Sequence, residues 1–157
     1  MNFCSSKKRS MQTRRAKLSD IETLFEIRTS VKENHQSRAE IAELGITPAS
    51  VAEMLQTNCC AWVAEINDRI VGFSIANDLE KTILGMFVLP EFEGHGAGRA
   101  LMRSAEDWLW SKGHEEIWLI TGNDPALRAY GFYQHLGWQA VGVQEDGEMK
   151  FIKQRSD

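Results

Sequence analysis

The sequence predicts a mixed α/β domain in which antiparallel strands come first and one parallel β-α-β step follows. Three observations carry this expectation. Residues 60–76 hold two apolar runs separated by Asn67-Asp68, a hairpin pattern. Residues 82–121 place a strand, a glycine-rich loop, an amphipathic helix and a fully apolar strand in succession. Residues 138–153 close with a second hairpin around Asp146-Gly147. With 157 residues, including five Trp, two Tyr and seven Phe, the chain has length and apolar bulk for one well-filled core.

Taken in order, residues 11–17 read as an edge strand. Ser19 with Glu22 three positions on has the form of a capping box. Ile21, Leu24, Phe25, Arg28 and Val31 follow at helical spacing, predicting a helix to about Asn34. Segment 35–46 is a loop or short helix. Thr47-Pro48 opens the next helix, with Val51, Met54 and Leu55 inward. Strands follow over 60–66, 69–76 and 82–89, the last ended by Pro90. Leu101, Ala105, Trp108 and Leu109 place a helix directly after the glycines, and 116–121 is a buried strand. Pro125 opens a helix to about Leu136 that Gly137 stops.

Charge narrows the function classes. The net charge is −4, yet residues 1–17 carry six cations and no acid. We therefore expect residues 1–10 to be a flexible basic extension and 11–157 to form the single domain. The acidic body argues against a nucleic-acid partner, since phosphate binding needs clustered Lys and Arg. No run approaches a membrane span, and the leader lacks the apolar stretch of a secretory signal. Cys4, Cys59 and Cys60 form no C-x-x-C pair and read as reduced thiols of a cytoplasmic protein. His35, His95, His114 and His135 lack ligand spacing, so no metal is expected.

The run Gly94-His95-Gly96-Ala97-Gly98, between a strand and a helix and followed by Arg99, has the makings of an anion site. Glycine lets the backbone approach a ligand closely, and the helix start offers unpaired N–H groups and the positive dipole end. No Lys-Ser/Thr follows, which excludes the Walker loop. Arg99 and Leu101 stand where a dinucleotide fingerprint needs its third glycine.

The stretch FVLPEFEGHGAGRALM resembles the acetyl-coenzyme A loop of the GNAT superfamily of N-acetyltransferases, with Val88, Pro90, Gly96 and Gly98 in the matching places. Downstream, RAYGFYQHLGW resembles the family's second hallmark. The element order is similar from residue 11 to the C-terminus. The resemblance implies a GNAT-type, mostly antiparallel sheet with a β-α-β unit and flanking helices. It implies acetyl-CoA as co-substrate, its pyrophosphate on Gly94, His95, Gly96, Ala97, Gly98 and Arg99, and its pantetheine arm along Met86, Phe87 and Val88. Two positions depart from the family pattern. Glu93 replaces the usual Arg or Gln, and Ala126 replaces a frequent Asn, with Asn123 three residues earlier.

The implied reaction is direct acetyl transfer to a primary amine of a small molecule or peptide. Tyr133 matches the family's acid for the leaving thiolate. Thr82 and Ile120 occupy the places where a catalytic Glu often stands. Glu80, two residues before Thr82 and hence on the same strand face, is the candidate base, acting through a water. Arg28, Glu33 and Asn34, near the end of the first helix, are candidates for the acceptor pocket. Two further readings keep the fold: use of a longer acyl-CoA, and a catalytically silent acyl-CoA-binding sensor. A homodimer is a further expectation, with Trp110 as an exposed contact.

Overall fold

The computed structural model describes residues 10–31, 35–124 and 126–156. Seven strands form one sheet: β1 (Met11–Arg15), β2 (Cys59–Ile66), β3 (Arg69–Asn77), β4 (Thr82–Val88), β5 (Glu116–Thr121), β6 (Gln139–Val143) and β7 (Met149–Gln154). Their order across the sheet is β1-β2-β3-β4-β5-β7-β6. Every neighbouring pair is antiparallel except β4 and β5. The helices are α1 (Ile21–Ser30), α2 (Arg38–Glu43), α3 (Pro48–Gln56), α4 (Ala97–Ser111) and α5 (Arg128–His135). The predicted mixed sheet and its element order are therefore those observed.

Alternation along β2 and β3 divides their side chains between two faces. Trp62 packs with Leu101, Met102 and Leu109 of α4, joined by Val71, which a bulge in the β2–β3 register turns to the same side, in a core that continues to Ile117 and Phe151. Val63 and Phe73 face the other way, onto Leu24 and Ile27 of α1. Ile21, Phe25, Ile41 and Val51 fasten the first three helices to one another. Ser74, fully buried on β3, donates to the Leu101 carbonyl at 3.0 Å, tying α4 to the sheet.

Several local expectations need correction. Asp20, not Ser19, organises the entry to α1. Its carboxylate accepts from the Lys17 amide at 2.7 Å and pairs with Arg14 at 2.9 Å. A carboxylate facing a guanidinium outcompetes a serine hydroxyl there, and Arg14 in turn holds the Asp20 carboxyl below its usual range. Helix α1 ends at Ser30, with Val31 extended. Thr29 and Ser30 bond back to the Phe25 and Ile27 carbonyls, as residues of weak helix propensity do. Helix α5 begins at Arg128, because the chain first makes a turn closed by Leu127 N–H on the Asp124 carbonyl at 2.8 Å. Pro125, most of the basic extension, Glu33 and Asn34 lie outside the described residues. Trp110 is half-buried against the main core rather than exposed. No helix among the described residues is long and apolar enough to cross a membrane.

Candidate active site

Strands β4 and β5 meet at one register pair, Thr82 with Trp118. That end of the seam is tied repeatedly. The Trp118 amide donates to the Lys81 carbonyl at 3.2 Å, and the Thr82 hydroxyl donates to the Trp118 carbonyl at 2.7 Å. The Trp118 indole donates to the Glu80 carbonyl at 2.8 Å, and His114 Nε2 lies 2.7 Å from Asp78 Oδ1. Beyond this knot the two strands share no further register pair among the described residues. The backbone of β4 towards Val88 thus faces the β5 side without a ladder partner, and polar backbone groups in such a cleft invite one.

The glycine loop lies just beyond Val88, at the open end of β4. Gly94 and Gly96 have φ of +84° and +86°, and a Cβ at either would meet nothing within 4 Å. The loop is a cradle with space in front of it, in a conformation that favours glycine. Gly96 is the N-cap of α4, and no side chain caps this helix. By contrast, Ser37 caps α2 and Thr47 caps α3, each in a reciprocal capping box. The first N–H groups of α4 are therefore available to an anion, with the helix dipole in support. Gly98 serves packing: its added Cβ would stand 3.3 Å from Phe132 and 3.4 Å from Met86, so it lets α4 approach α5 and β4. Ala97 is buried, while His95 and Arg99 are exposed at the rim. Glu93 turns towards Arg128, Oε1 to Nε 3.5 Å, so its charge is offset by a cation on α5.

Tyr133 is buried on α5, 7% exposed, among Phe132, Trp138 and Phe151 at centroid distances of 5.6, 6.4 and 6.0 Å. Burial pushes its phenol up to about 12, so the hydroxyl keeps its proton. Tyr130 packs edge-on against Phe151 at 5.0 Å. Asn123 is exposed between β5 and α5. Glu80 is not on β4: it stands in the exposed turn before the strand, at the tied end of the seam. Its amide donates to Asn77 Oδ1 at 3.0 Å, which holds the chain in that turn. The shared-face premise for Glu80 fails with the early start of the turn. Thr82 is spent on the knot.

Across the sheet, β4 also lines a cavity of about 150 Å³ beneath α1 and α3. Arg28 enters it from α1. The guanidinium lies 4.5 Å from the centroid of the Phe87 ring, and its Nη2 donates to Gln36 Oε1 at 2.8 Å. Nη1 is buried and has no hydrogen-bond partner among the described residues. Desolvation lowers the guanidinium from its usual value. Arg28, a pocket candidate from the sequence, thus lines a cavity beneath the first helices.

Comparison with known proteins fits this geometry. The model of the acetyltransferase (GNAT) family matches residues 19–138. The chain belongs to that family. Human N-acetyltransferase 8B is 34% identical over 91 residues, covering 53% of this chain and 40% of that protein. The ribosomal protein bS18 alanine N-acetyltransferase of Haemophilus influenzae is 27% identical over 82 residues, covering 51% and 55%. The matches thus span about half the length of these curated relatives. Among solved structures, PaiA N-acetyltransferase of Thermoplasma acidophilum, in complex with coenzyme A, superposes with a TM-score of 0.76 at 17% identity, covering 93% of this chain and 99% of that one.

Sequence reasoning missed one polar element of this GNAT domain. Glu106 on α4 is 7% exposed, accepts from the Trp138 indole at 3.0 Å and pairs with Lys153 of β7 at 2.8 Å. It fixes Trp138, which packs on Tyr133. The one available signal was a Glu on the inner face of the α4 pattern, one residue after Ala105.

Proposed function

We propose that the protein transfers the acetyl group of acetyl-CoA to a primary amine of a small molecule or peptide, by direct attack when both are bound. The observation that carries this reading is the coincidence, in one cleft, of an unladdered β4 edge with an uncapped, glycine-built N-terminus of α4. The α4 amides and Arg99 meet the pyrophosphate, and the β4 backbone lies along the pantetheine arm. Bound acetyl-CoA supplies a thioester whose carbonyl an uncharged amine attacks. A β4 N–H on the open edge is the donor for the oxyanion that develops. Tyr133, protonated at neutral pH, donates its proton to the departing thiolate. The reading assigns no side chain to the general base: water takes the proton that the amine loses, and a proton returned through water restores the Tyr133 phenol.

The sensor reading rests on Glu93 and on the missing consensus base: Glu93 pairs with Arg128 at the surface, and the missing base is the support that reading keeps. A screen of free thiol released from acetyl-CoA over a panel of amines tests the proposal. Amine-dependent release is expected, and tight coenzyme A binding with no release for any amine would leave the sensor reading standing. In calorimetry, Gly96→Val should weaken coenzyme A at least tenfold, because φ of +86° at the cradle is strained for a branched side chain. An unchanged affinity would remove the glycine loop from the cofactor site.

A further inference from the structure

The pocket beneath α1 and α3 is built with an unusual floor and mouth. Its walls are Phe73, Ile75 and Phe87 of the sheet and Ile41 and Met54 of the helices. The ring of Phe87 lies over Gly85, where an added Cβ would come within 2.7 Å of it, so the glycine keeps the floor flat. A bulge at Leu84, between the register pairs Ile75 with Gly85 and Ala76 with Ile83, turns that leucine to the mouth, where it is 48% exposed. Ile46, 40% exposed, stands with it at the mouth.

Into this apolar space projects one cation, Arg28. One nitrogen is satisfied by Gln36, the Phe87 face covers the guanidinium, and Nη1 has neither a protein acceptor nor access to solvent. A buried donor without an acceptor is costly, and a buried charge without a counter-charge more so. No carboxylate of the described residues supplies the missing partner to Arg28. The arrangement makes sense when the partner arrives with a ligand.

We propose that the acceptor is an amino acid: an amine whose own carboxylate binds Arg28 Nη1 and whose apolar side chain fills the pocket. This rests on the acetyl-transfer reading and names its substrate class. The guanidinium lies 4.5 Å from the Phe87 ring of β4, the strand whose edge carries the thioester in the acetyl-transfer reading, and an α-amino acid, with carboxylate and amine on one carbon, is the acceptor class taken for the test. A cavity of about 150 Å³ admits a group of benzene size, so phenylalanine is a suitable probe.

The test compares phenylalanine with phenylalaninamide, which keeps the amine and ring but lacks the carboxylate. The amide has the more readily deprotonated amine, so intrinsic chemistry favours it. We expect kcat/KM at least tenfold higher for the acid, and this preference should collapse to within about twofold in Arg28→Gln. Equal use of acid and amide by the wild-type protein, or a preference that survives Arg28→Gln, overturns the assignment. If no amine is acetylated, the acetyl-transfer reading is what fails, and calorimetry on the coenzyme A-loaded protein still decides the pocket. Phenylalanine binding that Arg28→Gln weakens at least tenfold supports it. Equal binding by both proteins, or none by the wild type, overturns it.

Discussion

Glu106 is a buried charge and Arg28 a half-buried one with its Nη1 out of water, and the fold treats them in opposite ways. Glu106 has an acceptor role for each oxygen, one to Trp138 and one to Lys153. Arg28 has Gln36 on one nitrogen and nothing on another. A satisfied buried charge is a scaffold element, joining α4, the end of α5 and β7 across the chain. An unsatisfied one is a binding element, whose desolvation is recovered when a ligand supplies the missing charge. Removing each should therefore have opposite consequences for stability and for substrate choice.

The largest effect is expected at the scaffold charge. Glu106→Ala leaves the Lys153 ammonium and Trp138 indole without their acceptor. The expected loss is about 3 kcal/mol, read as a lower urea midpoint, with a melting temperature about 6–12 °C lower. A change under about 1 kcal/mol would mean that the network is solvated in solution.

Tyr133 packs against Trp138 of the scaffold side and is the acid of the proposed reaction. Tyr133→Phe should lower turnover about 10²-fold, at the weaker end of general-acid effects, because a phenol pushed up to about 12 is a reluctant donor. Coenzyme A affinity should stay within a factor of about two. The same shift has a stability signature. An unfolded tyrosine loses its proton near 10, whereas the native one holds it to about 12. Native stability is thus fully present below pH of about 10 and falls by about 2–3 kcal/mol as pH rises through about 12. The Phe variant should lack this component of the alkaline slope in chemical denaturation.

The smallest expected effect is on folding at the binding charge. Arg28→Met removes one hydrogen bond and a cation–π contact but also a buried unpaired donor, so stability should change by less than about 1 kcal/mol. A loss comparable with that of Glu106→Ala would make Arg28 a scaffold residue and dissolve the contrast.

The elements legible in the sequence are those written in local patterns. The Asn67-Asp68 turn, with φ of +52° and +65°, the Thr47-Pro48 helix start and the glycine run all signal within a few residues. The misreadings involve partners distant in the chain. Ser19 looked like a cap until Arg14 and Asp20 met in space. Spacing alone puts Glu80 on the face of Thr82, but the turn held by Asn77 and the Trp118 indole claims it. Arg28 shares its helical spacing with the apolar face of α1, and what the spacing leaves out is its partners, Phe87 and Gln36, beyond the helix. Glu106, Trp138 and Lys153 span 47 residues, a range over which no periodicity speaks.

The single register pair joining β4 to β5 bears on the order in which the chain assembles. Strands β2, β3 and β4 are connected by tight turns and pair with their sequence neighbours, at little loop-closure cost. Joining Thr82 to Trp118 requires the whole crossover through α4 to be in place, a closure of 36 residues, for one rung of ladder in return. Topology thus favours early formation of the meander and late docking of the β5–β7 half. Until that docking, β4 is an edge strand with an apolar sequence, the kind of edge that recruits other chains. The tied cluster of His114, Asp78, Trp118 and Thr82 closes only one end of that edge, so the stretch towards Val88 stays open after docking, and a cofactor seated along it would shield it from other chains as well.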